Sequence, residues 1–519
     1  MDAYVSPQLL AQLAPEVILA AAGTVVLVGG AFHRRGHLWH LMALLASVLA
    51  LLVLWFQGPA AAATLEAPLV LDAAARFVRV TVALLGVLFS LLVWQREPDR
   101  PAEYVGSLLL LLCGAMLAAS AADLVMIFLA LELVSIPSYV LLYLVRRAPD
   151  TQEATIKYFL LSILSSALML YGFSFLYGVA GSIHLVEIHR RLALATGQAW
   201  LGLGGLGLLL VLAGLGFKLA AVPFHFYAPD VYQGTTHENT AVLAAVPKLA
   251  AAMVLVRLLW WATPGLEDLG WRVVLVLSLV TMTLGNTLAL WQTHLRRLLA
   301  YSSVAHAGYM LVGLAGAFAL RQAGAEAQGA VAALLFYALV YALATAGIFA
   351  VLGAWSQERR RVETLDDLAG LSRSQPALAA ALAVLLFSLA GIPPLAGFWG
   401  KFGLFSAALQ VVRQGAPEVG NWFLVLAVLG VLNAAAAAAY YLRMIGAMYF
   451  QEPAPGAAPV EPSGGGTWAA WGAVALVVLL GLVPRLGMSG AARAGQALQA
   501  AAAVQQEEPL AGRTAGSRR

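Results

Sequence analysis

Three lysines lie inside long apolar segments of this 519-residue chain, at positions 218, 248 and 401. Of the 30 basic residues only four are lysine, and the fourth, Lys157, lies beside Glu153 at the start of an apolar segment. Arginine keeps its proton in every protein environment, whereas a desolvated lysine can release and rebind one. The pattern predicts a proton-transfer site at mid-membrane. The simpler alternative is that the lysines extend to the membrane surface, which suits Lys157 better than the other three.

Two further ionisable residues fall near the middle of apolar segments. Glu132 lies in DLVMIFLALELVSIPSYVLLYL, where a carboxylate needs a partner, and Lys218 is the predicted one. A static ion pair is the alternative interpretation. His306 is predicted to relay protons between Lys248 and Lys401, because histidine titrates near neutral pH. A hydrogen-bonded packing group is the alternative for His306.

A short segment after the Lys218 region carries two more candidates. His225 and Asp230 lie in PFHFYAPDVYQG. They are predicted to form a point where protons enter from the cytoplasm, and capping of a loop is the alternative.

The composition is that of a polytopic membrane protein. Apolar residues make up 61% of the chain, charged residues 11%, and the mean hydropathy is +0.84. The single cysteine, Cys113, provides no thiolate set for zinc or an iron–sulfur cluster, so we expect no metal and no cofactor in this chain. No Walker A, HExxH or nucleophile-elbow motif is present, which disfavours an ATP-driven pump and a membrane protease.

Apolar runs of membrane-spanning length predict an all-α polytopic membrane protein with about 14 transmembrane helices. The runs lie near 15–32, 38–56, 73–94, 104–120, 122–144, 154–179, 200–222, 238–262, 271–291, 297–317, 328–354, 376–410, 420–449 and 467–484. Loops on one side carry 12 basic residues and those on the other carry five before the C-terminal tail. The positive-inside rule therefore predicts that the arginine-rich loops are cytoplasmic and that both termini face the periplasm.

Two of these helices are predicted to be broken. The seventh meets Pro223 soon after Lys218, and the twelfth carries GIPPLAGFWGKF (391–402), with two prolines before Lys401. Proline opens a helix, which is tolerated at membrane depth only where the freed groups are buried in protein or line a cavity. Breaks five helices apart predict two inverted five-helix repeats, with unrelated proline kinks as the alternative. The predicted domains are three N-terminal transmembrane helices at 1–103, a first repeat at 104–262, a second, inverted repeat at 271–450, and a loop, last transmembrane helix and tail at 451–519.

The region at about 104–450 resembles the antiporter-like membrane subunits of respiratory complex I, most closely those of the subunit N type in bacterial NADH-quinone oxidoreductase. The resemblance rests on the segments ALELVSIPSYVLLYLVR, ATIKYFLLSILSSALMLYGFSFLYG, GFKLAAVPFHFYAPDVYQG, GNTLALWQTHLRRLLAYSSVAHAGYM, SLAGIPPLAGFWGKFGLF and NAAAAAAYYLRMIGAMYF. Lys401 disfavours a homologous subunit that has glutamate at this position. Two departures are TTHENTAV after VYQG, and Arg296 with Arg297 where the family pair begins with lysine.

The resemblance implies a proton-translocating, non-redox subunit of NADH:quinone oxidoreductase in the bacterial inner membrane. Its partners would be the lipid bilayer and the other membrane-arm subunits, with no nucleic acid. NADH, quinone, flavin and iron–sulfur clusters would be handled by partner chains. Proton transfer is implied along a set of titratable residues, with Lys157 as a contributor: Glu132, Lys218, Lys248, His306 and Lys401. A subunit of a multisubunit cation/proton antiporter is the alternative, because segments such as LAGIPPLAGFWGK occur in both groups, and a chain that only scaffolds its neighbours is a weaker one.

Overall fold

The computed structural model describes residues 7–33, 36–58, 64–66, 68–94, 100–145, 148–194, 198–356, 362–452 and 464–507. The N-terminal part contains four helices: α1 (Pro7–Gln12), α2 (Ala14–Gly30), α3 (Gly36–Phe56) and α4 (Ala73–Val93). Between α3 and α4 lies a small antiparallel hairpin of β1 (Thr64–Glu66) and β2 (Leu69–Leu71), which the sequence reading did not predict.

The remaining helices follow in two groups and a C-terminal pair. The first group is α5 (Pro101–Ser120), α6 (Leu124–Val145), α7 (Pro149–Ala180), α8 (Leu185–Ala193), α9 (Gln198–Leu219), α10 (Tyr227–Gly234) and α11 (His237–Trp261). The second group is α12 (Glu267–Trp291), α13 (Leu295–Gln322), α14 (Gln328–Trp355), α15 (Leu371–Ser374), α16 (Pro376–Ala390), α17 (Ala396–Gln414) and α18 (Pro417–Phe450), with a 3₁₀ turn at Asp366–Leu368. The C-terminal pair is α19 (Gly464–Leu482) and α20 (Arg485–Glu507).

Twelve of the described helices are long and apolar enough to cross a membrane. The helices α2 and α16 are apolar but shorter, and the 15 residues of α16 extend over only part of a bilayer. The predicted all-α, multi-pass membrane fold is confirmed, whereas the number of 14 transmembrane helices stays a prediction. Most arginines counted in the predicted cytoplasmic loops lie outside the described residues, at 34, 35, 96, 146, 147 and 359–361, so the orientation also stays a prediction.

Three helices form the interior of the bundle. All 25 residues of α11 are buried, and the most apolar stretches of α13 and α14 are buried throughout. By contrast, fewer than half of the residues in the most apolar stretches of α7 and α18 are buried. Helices that face lipid must be apolar on the outside, whereas interior helices can carry polar groups that bond to neighbouring helices. Polar residues on α11, α13 and α14 therefore face protein.

Both predicted helix breaks are present and have the same local geometry. At each break the N–H groups just beyond the last turn bond to carbonyls of that turn, and the residue between is left-handed, with φ +57° at Ala220 and +88° at Gly391. This arrangement gives two carbonyls in the last turn of each helix, α9 and α16, a hydrogen-bond partner. Pro223 and Pro393 follow within three residues and prevent the helix from continuing. The inverted repeats stay a prediction, and the common form of the two breaks agrees with it.

Two buried ion pairs hold the N-terminal helices in place: one joins α4 to α11, and the other joins α2 to α4. Asp72, at the start of α4, accepts hydrogen bonds of 2.6 and 2.9 Å from Arg257 of α11. Arg257 also donates to the carbonyl of Ala119 near the end of α5. Glu16 of α2 accepts bonds of 2.6 and 2.7 Å from Arg79 of α4. Each guanidinium is paired with a carboxylate, so neither pair leaves an isolated charge in the interior.

We predict that Arg257→Leu destabilises the protein strongly, because the carboxylate of Asp72 would stay buried without its partner. Loss of one member of a buried pair costs about 3–5 kcal/mol. The midpoint of thermal unfolding of the detergent-purified protein measures the effect. The control is Arg272→Leu, which removes an exposed ion pair with Asp268, where a loss below about 1 kcal/mol is expected. Equal shifts in the two variants would contradict a special role for the buried pair, and Asp72→Asn combined with Arg257→Leu should recover part of the loss.

Candidate functional site

The three lysines in apolar segments are buried, and two of them, Lys218 and Lys401, lie next to a helix break. Lys218 is the last residue but one of α9, Lys248 follows Pro247 inside α11, and Lys401 lies in the second turn of α17. Their exposed fractions are 6%, 2% and 5%. A break frees backbone carbonyls, and Lys401 Nζ donates to one of them, the carbonyl of Ala390 at the end of α16, at 3.0 Å. The broken helices therefore supply polar partners within an apolar bundle.

Lys248 is bound by a single serine at the centre of the protein. Its Nζ donates to the carbonyl and hydroxyl oxygens of Ser303 on α13, both at 2.5 Å. The same hydroxyl accepts a 2.7 Å bond from Tyr341 of α14 and lies 3.2 Å from the hydroxyl of Tyr232 of α10. Groups from α10, α11, α13 and α14 thus converge on Ser303.

His306, one turn further along α13, bonds to two tyrosines. Its Nδ1 lies 2.5 Å from the hydroxyl of Tyr337, and its Nε2 lies 2.9 Å from the hydroxyl of Tyr441. A phenol can donate or accept a hydrogen bond, so either neutral tautomer of the imidazole keeps both partners. The site therefore accommodates movement of a proton from one ring nitrogen to the other.

The predicted relay through His306 between the two lysines stays a prediction. Within the described residues, no hydrogen bond joins His306 to Lys248 or Lys401. Ser303, one turn before it, binds Lys248, and the ring of Tyr309, one turn after it, lies 5.0 Å from Lys401 Nζ. One face of α13 thus lies between the two lysines.

A network of neutral polar side chains surrounds this face, and the sequence reading missed it. Asn286 of α12 donates to Tyr309 at 3.2 Å and to Asn433 of α18 at 3.1 Å, and it accepts a 3.0 Å bond from Tyr440. The available signal was the presence of tyrosines within apolar segments, in LLFYALVYAL and AAAAAAYYL.

Glu132 does not contact Lys218 directly, and its predicted role as the partner of that lysine stays a prediction. The Oε1 of Glu132 accepts a 2.5 Å bond from Ser166 of α7, and Lys218 Nζ donates to the hydroxyl of Ser135 at 2.8 Å. Ser135 is one turn beyond Glu132 on α6, so the lysine lies beside the same helix. Among the described residues, the ion pairs within 4 Å do not include one between these two. Serine hydroxyls satisfy both groups and replace the expected contact.

Aromatic side chains separate the Lys218 site from the Lys248 site. The ring of Tyr227 on α10 stacks on Phe217 with centroids 4.3 Å apart, and Tyr158 of α7 packs against both rings. The hydroxyl of Tyr227 donates to the carbonyl of Phe217. In the described part of the chain, no series of hydrogen bonds continues from Lys218 to Lys248. The polar site therefore consists of two parts with α10 between them.

Lys157 and Asp230 lie away from the buried lysines, in an ion cluster at one end of the bundle. Lys157 Nζ contacts Glu153 at 2.6 Å and Asp230 at 2.9 Å, and Arg297 donates to Asp230 at 2.8 Å. The side chain of Lys157 is 42% exposed. Burial alone would raise the pKa of the Asp230 carboxyl, but the bonds from Lys157 and Arg297 outweigh it and hold that pKa below its usual value. His225 is half-buried in the turn between α9 and α10, and no hydrogen bond between it and Asp230 occurs among the described residues.

The polar partners of the buried lysines suit proton exchange. No group of three or more histidine, cysteine or acidic residues with metal-binding geometry occurs within the described ranges. The partners of the three buried lysines are hydroxyl and carbonyl oxygens. Neutral partners of this kind can bond to an ammonium or to an amine, whereas a carboxylate would favour the ammonium alone.

Comparison with known proteins places the chain in a family. The family model described as NADH:quinone oxidoreductase/Mrp antiporter, TM matches residues 121–438. NADH-quinone oxidoreductase subunit N of Rhodospirillum rubrum is 38% identical over 502 residues, which cover 94% of this chain and 97% of that protein. Subunit N 1 of Rhizobium meliloti is 39% identical over 85% of this chain and 88% of its own length.

Solved structures agree with this assignment. A chain of respiratory complex I from Thermus thermophilus is 33% identical, with a TM-score of 0.75 over 92% of this chain and 98% of that chain. A chain of the Mrp complex from Dietzia sp. DQ12-45-1b has a TM-score of 0.79 over 96% and 98% of the two chains, but at 22% identity this likeness shows the fold alone. The chain belongs to the family of NADH-quinone oxidoreductase subunit N, within the antiporter-like membrane proteins.

Proposed function

We propose that this chain is the proton-translocating membrane subunit of a bacterial NADH-quinone oxidoreductase. The observation that carries the proposal is the set of three buried lysines, each bonded to neutral oxygens; two lie beside a helix break and the third follows a proline inside a helix. Ionisable groups are costly in a transmembrane bundle, so their retention at such sites favours a proton pathway. Broken helices that face one another across a bundle are typical of transporters with inverted repeats. The domain division into two such repeats is part of the proposal.

The proposed route contains the residues that the sequence singled out, together with neutral groups found in the structure. Protons would pass among Glu132, Lys218, Lys248, His306 and Lys401. Tyrosine and serine hydroxyls would complete the route on both sides of His306. Ser303 binds Lys248, and the hydroxyl of Tyr441 bonds to the His306 ring. The ion cluster of Lys157 and Asp230, with His225 nearby in the chain, would lie where protons enter.

The chemistry that drives this transfer is proposed to occur in partner chains. NADH oxidation, quinone reduction, the flavin and the iron–sulfur clusters belong to other subunits, and this chain contributes no redox centre. It would respond to conformational and electrostatic changes in neighbouring membrane-arm subunits. We further propose that it lies in the bacterial inner membrane with both termini on the periplasmic face. The cation/proton antiporter alternative has no specific support, because the likeness to the Mrp complex shows only the fold.

The assembly that contains this chain should oxidise NADH and reduce quinone. The test is to tag the chain in its native cell, extract it gently and assay the purified assembly. We expect NADH-driven quinone reduction together with flavin and iron–sulfur absorbance. An assembly of membrane chains alone, with sodium-dependent proton exchange in vesicles and no NADH oxidation, would assign the chain to the antiporters instead.

We predict that Lys218→Met lowers proton pumping and quinone-linked turnover together while assembly stays intact. A positioned acid–base group contributes about 100-fold or more to the rate of proton transfer. Water can take over part of this role in the variant, so we expect the pumping rate to fall by about tenfold at least. Pumping is measured in proteoliposomes with a pH-sensitive dye, and turnover by NADH absorbance. Lys157→Met is the comparison: its side chain is 42% exposed, so water can replace it and a smaller loss is expected. Normal coupled pumping in Lys218→Met would remove Lys218 from the route.

Lys401→Arg distinguishes titration from charge. Arginine preserves the positive charge but does not release its proton, so we expect pumping to fall as far as it does in Lys401→Met. The site is tightly packed, since a Cβ atom added at Gly391 would lie 3.0 Å from Cδ of Lys401. Assembly must therefore be checked for each variant. Proteoliposome pumping and the yield of intact assembly are the two readouts. If the arginine variant pumps normally and the methionine variant does not, Lys401 acts through its charge and not through proton exchange.

A further inference from the structure

A cavity of about 520 Å³ opens at the end of the bundle opposite the Lys157 cluster, and the proposed proton route does not use it. It lies where α11 and α13 end and α12 and α14 begin. Its wall includes Trp260 and two opposite charges, Glu267 and Arg321, together with His189 of α8 and Gln499 of α20. The volume is in the range of sites that hold small organic ligands.

The charged pair in this cavity is incompletely satisfied. Arg321 donates to the carbonyl of Leu259 and, at 3.4 Å, to Glu267, and its guanidinium lies over the ring of Trp260, 5.4 Å from the centroid. A guanidinium has five N–H donors, so these two bonds leave three donors without a partner in the described part of the chain. The side chains of Arg321 and Glu267 are 17% and 16% exposed, which leaves both groups accessible from the cavity.

Two buried atoms of the lining residues also lack partners. Within the described residues, Nδ1 of His189 and Oε1 of Gln499 form no hydrogen bond. An apolar occupant would leave these groups and the spare guanidinium donors unsatisfied. A simple anion would meet the Glu267 carboxylate, and a simple cation would meet the Arg321 guanidinium. A molecule that carries both charges can place its anion on Arg321 and its cation on Glu267.

The surroundings of the cavity favour a lipid over a soluble zwitterion. Leu266, beside the cavity, and Leu269 pack against Gly204 and Gly205 of α9. On either side of that glycine pair, Leu203 and Leu206 are exposed on the outer surface of α9. Apolar side chains exposed on a transmembrane helix face acyl chains, and tryptophan is typical of the level of the headgroups. The cavity thus lies close to a surface suited to lipid tails.

We propose that this cavity binds a phospholipid whose headgroup carries a primary ammonium beside its phosphate, with the phosphate on Arg321 and the ammonium on Glu267. The charged pair is then completed into a ring of four alternating charges, which a lipid without the ammonium cannot form. The inference is independent of the proton route, because none of the residues assigned to that route lines the cavity.

The test is native mass spectrometry of the detergent-purified assembly, delipidated and then titrated with phosphatidylethanolamine or phosphatidylglycerol. We expect the assembly to retain one more molecule of phosphatidylethanolamine than of phosphatidylglycerol. Arg321→Gln should weaken retention of that lipid about tenfold or more, the factor that one lost charge-assisted hydrogen bond represents. Arg272→Gln is the matched control, because Arg272 is an exposed arginine at the same end of α12 and should have no effect.

Glu267→Gln guards against a folding defect in the arginine variant. It keeps Arg321 and should therefore still bind phospholipid, but it should lose the preference for phosphatidylethanolamine. Equal retention of the two lipids by the unaltered protein, or unchanged retention in Arg321→Gln, would overturn the proposal. Displacement of the lipid by water-soluble glycerophosphoethanolamine at the same concentration would also overturn it, because the site would then take a soluble zwitterion.

Discussion

The structure depends on how a transmembrane bundle keeps three lysines in its interior. Burial of a charged or polar group is tolerable only where hydrogen-bond partners replace water. Here two of the lysines lie beside helix breaks, at the ends of α9 and α16, and the third follows Pro247 within α11. The break after α16 leaves the carbonyl of Ala390 for Lys401, and serine hydroxyls of α6 and α13 accept bonds from Lys218 and Lys248. Burial of α11, α13 and α14 inside the bundle follows from the same requirement, because their polar groups must face protein.

The chain uses its two kinds of basic residue differently in the interior. The buried arginines at 79 and 257 each pair with a carboxylate, at distances of 2.6 Å. The buried lysines bond instead to hydroxyl and carbonyl oxygens. A guanidinium held by a carboxylate is a fixed charge, which suits a contact that fastens helices together. A lysine with neutral partners can keep its bonds in either protonation state. The choice of residue thus separates the static contacts of this bundle from the positions suited to proton exchange.

Much of the fold could be predicted from sequence because hydrophobicity and proline act locally. The apolar segments gave the helices, and Pro223 and Pro393 gave the breaks, since a missing backbone donor has the same effect in any fold. Contacts between helices were less predictable. The expected pair of Glu132 with Lys218 is replaced by two serines, because side-chain direction and helix rotation decide which groups meet. The described part of the C-terminal tail forms α20, where Ala491 and Leu498 are fully buried, a contact that the Ala/Gln composition did not indicate.

The separation of the polar site into two parts bears on how transfer is controlled. The bonds around Lys218 end at aromatic rings, and the bonds around Lys248 begin at Ser303. The eight-residue helix α10 contributes to both sides, through Tyr227 beside Phe217 and Tyr232 beside Ser303. Under the proposed function, a proton that crosses this gap needs water or a rearranged side chain to complete the path. Because α10 is short and follows a broken helix, a small displacement of it would change both ends of the gap together. Under the proposed function, α10 is therefore the element whose position affects both ends of the gap.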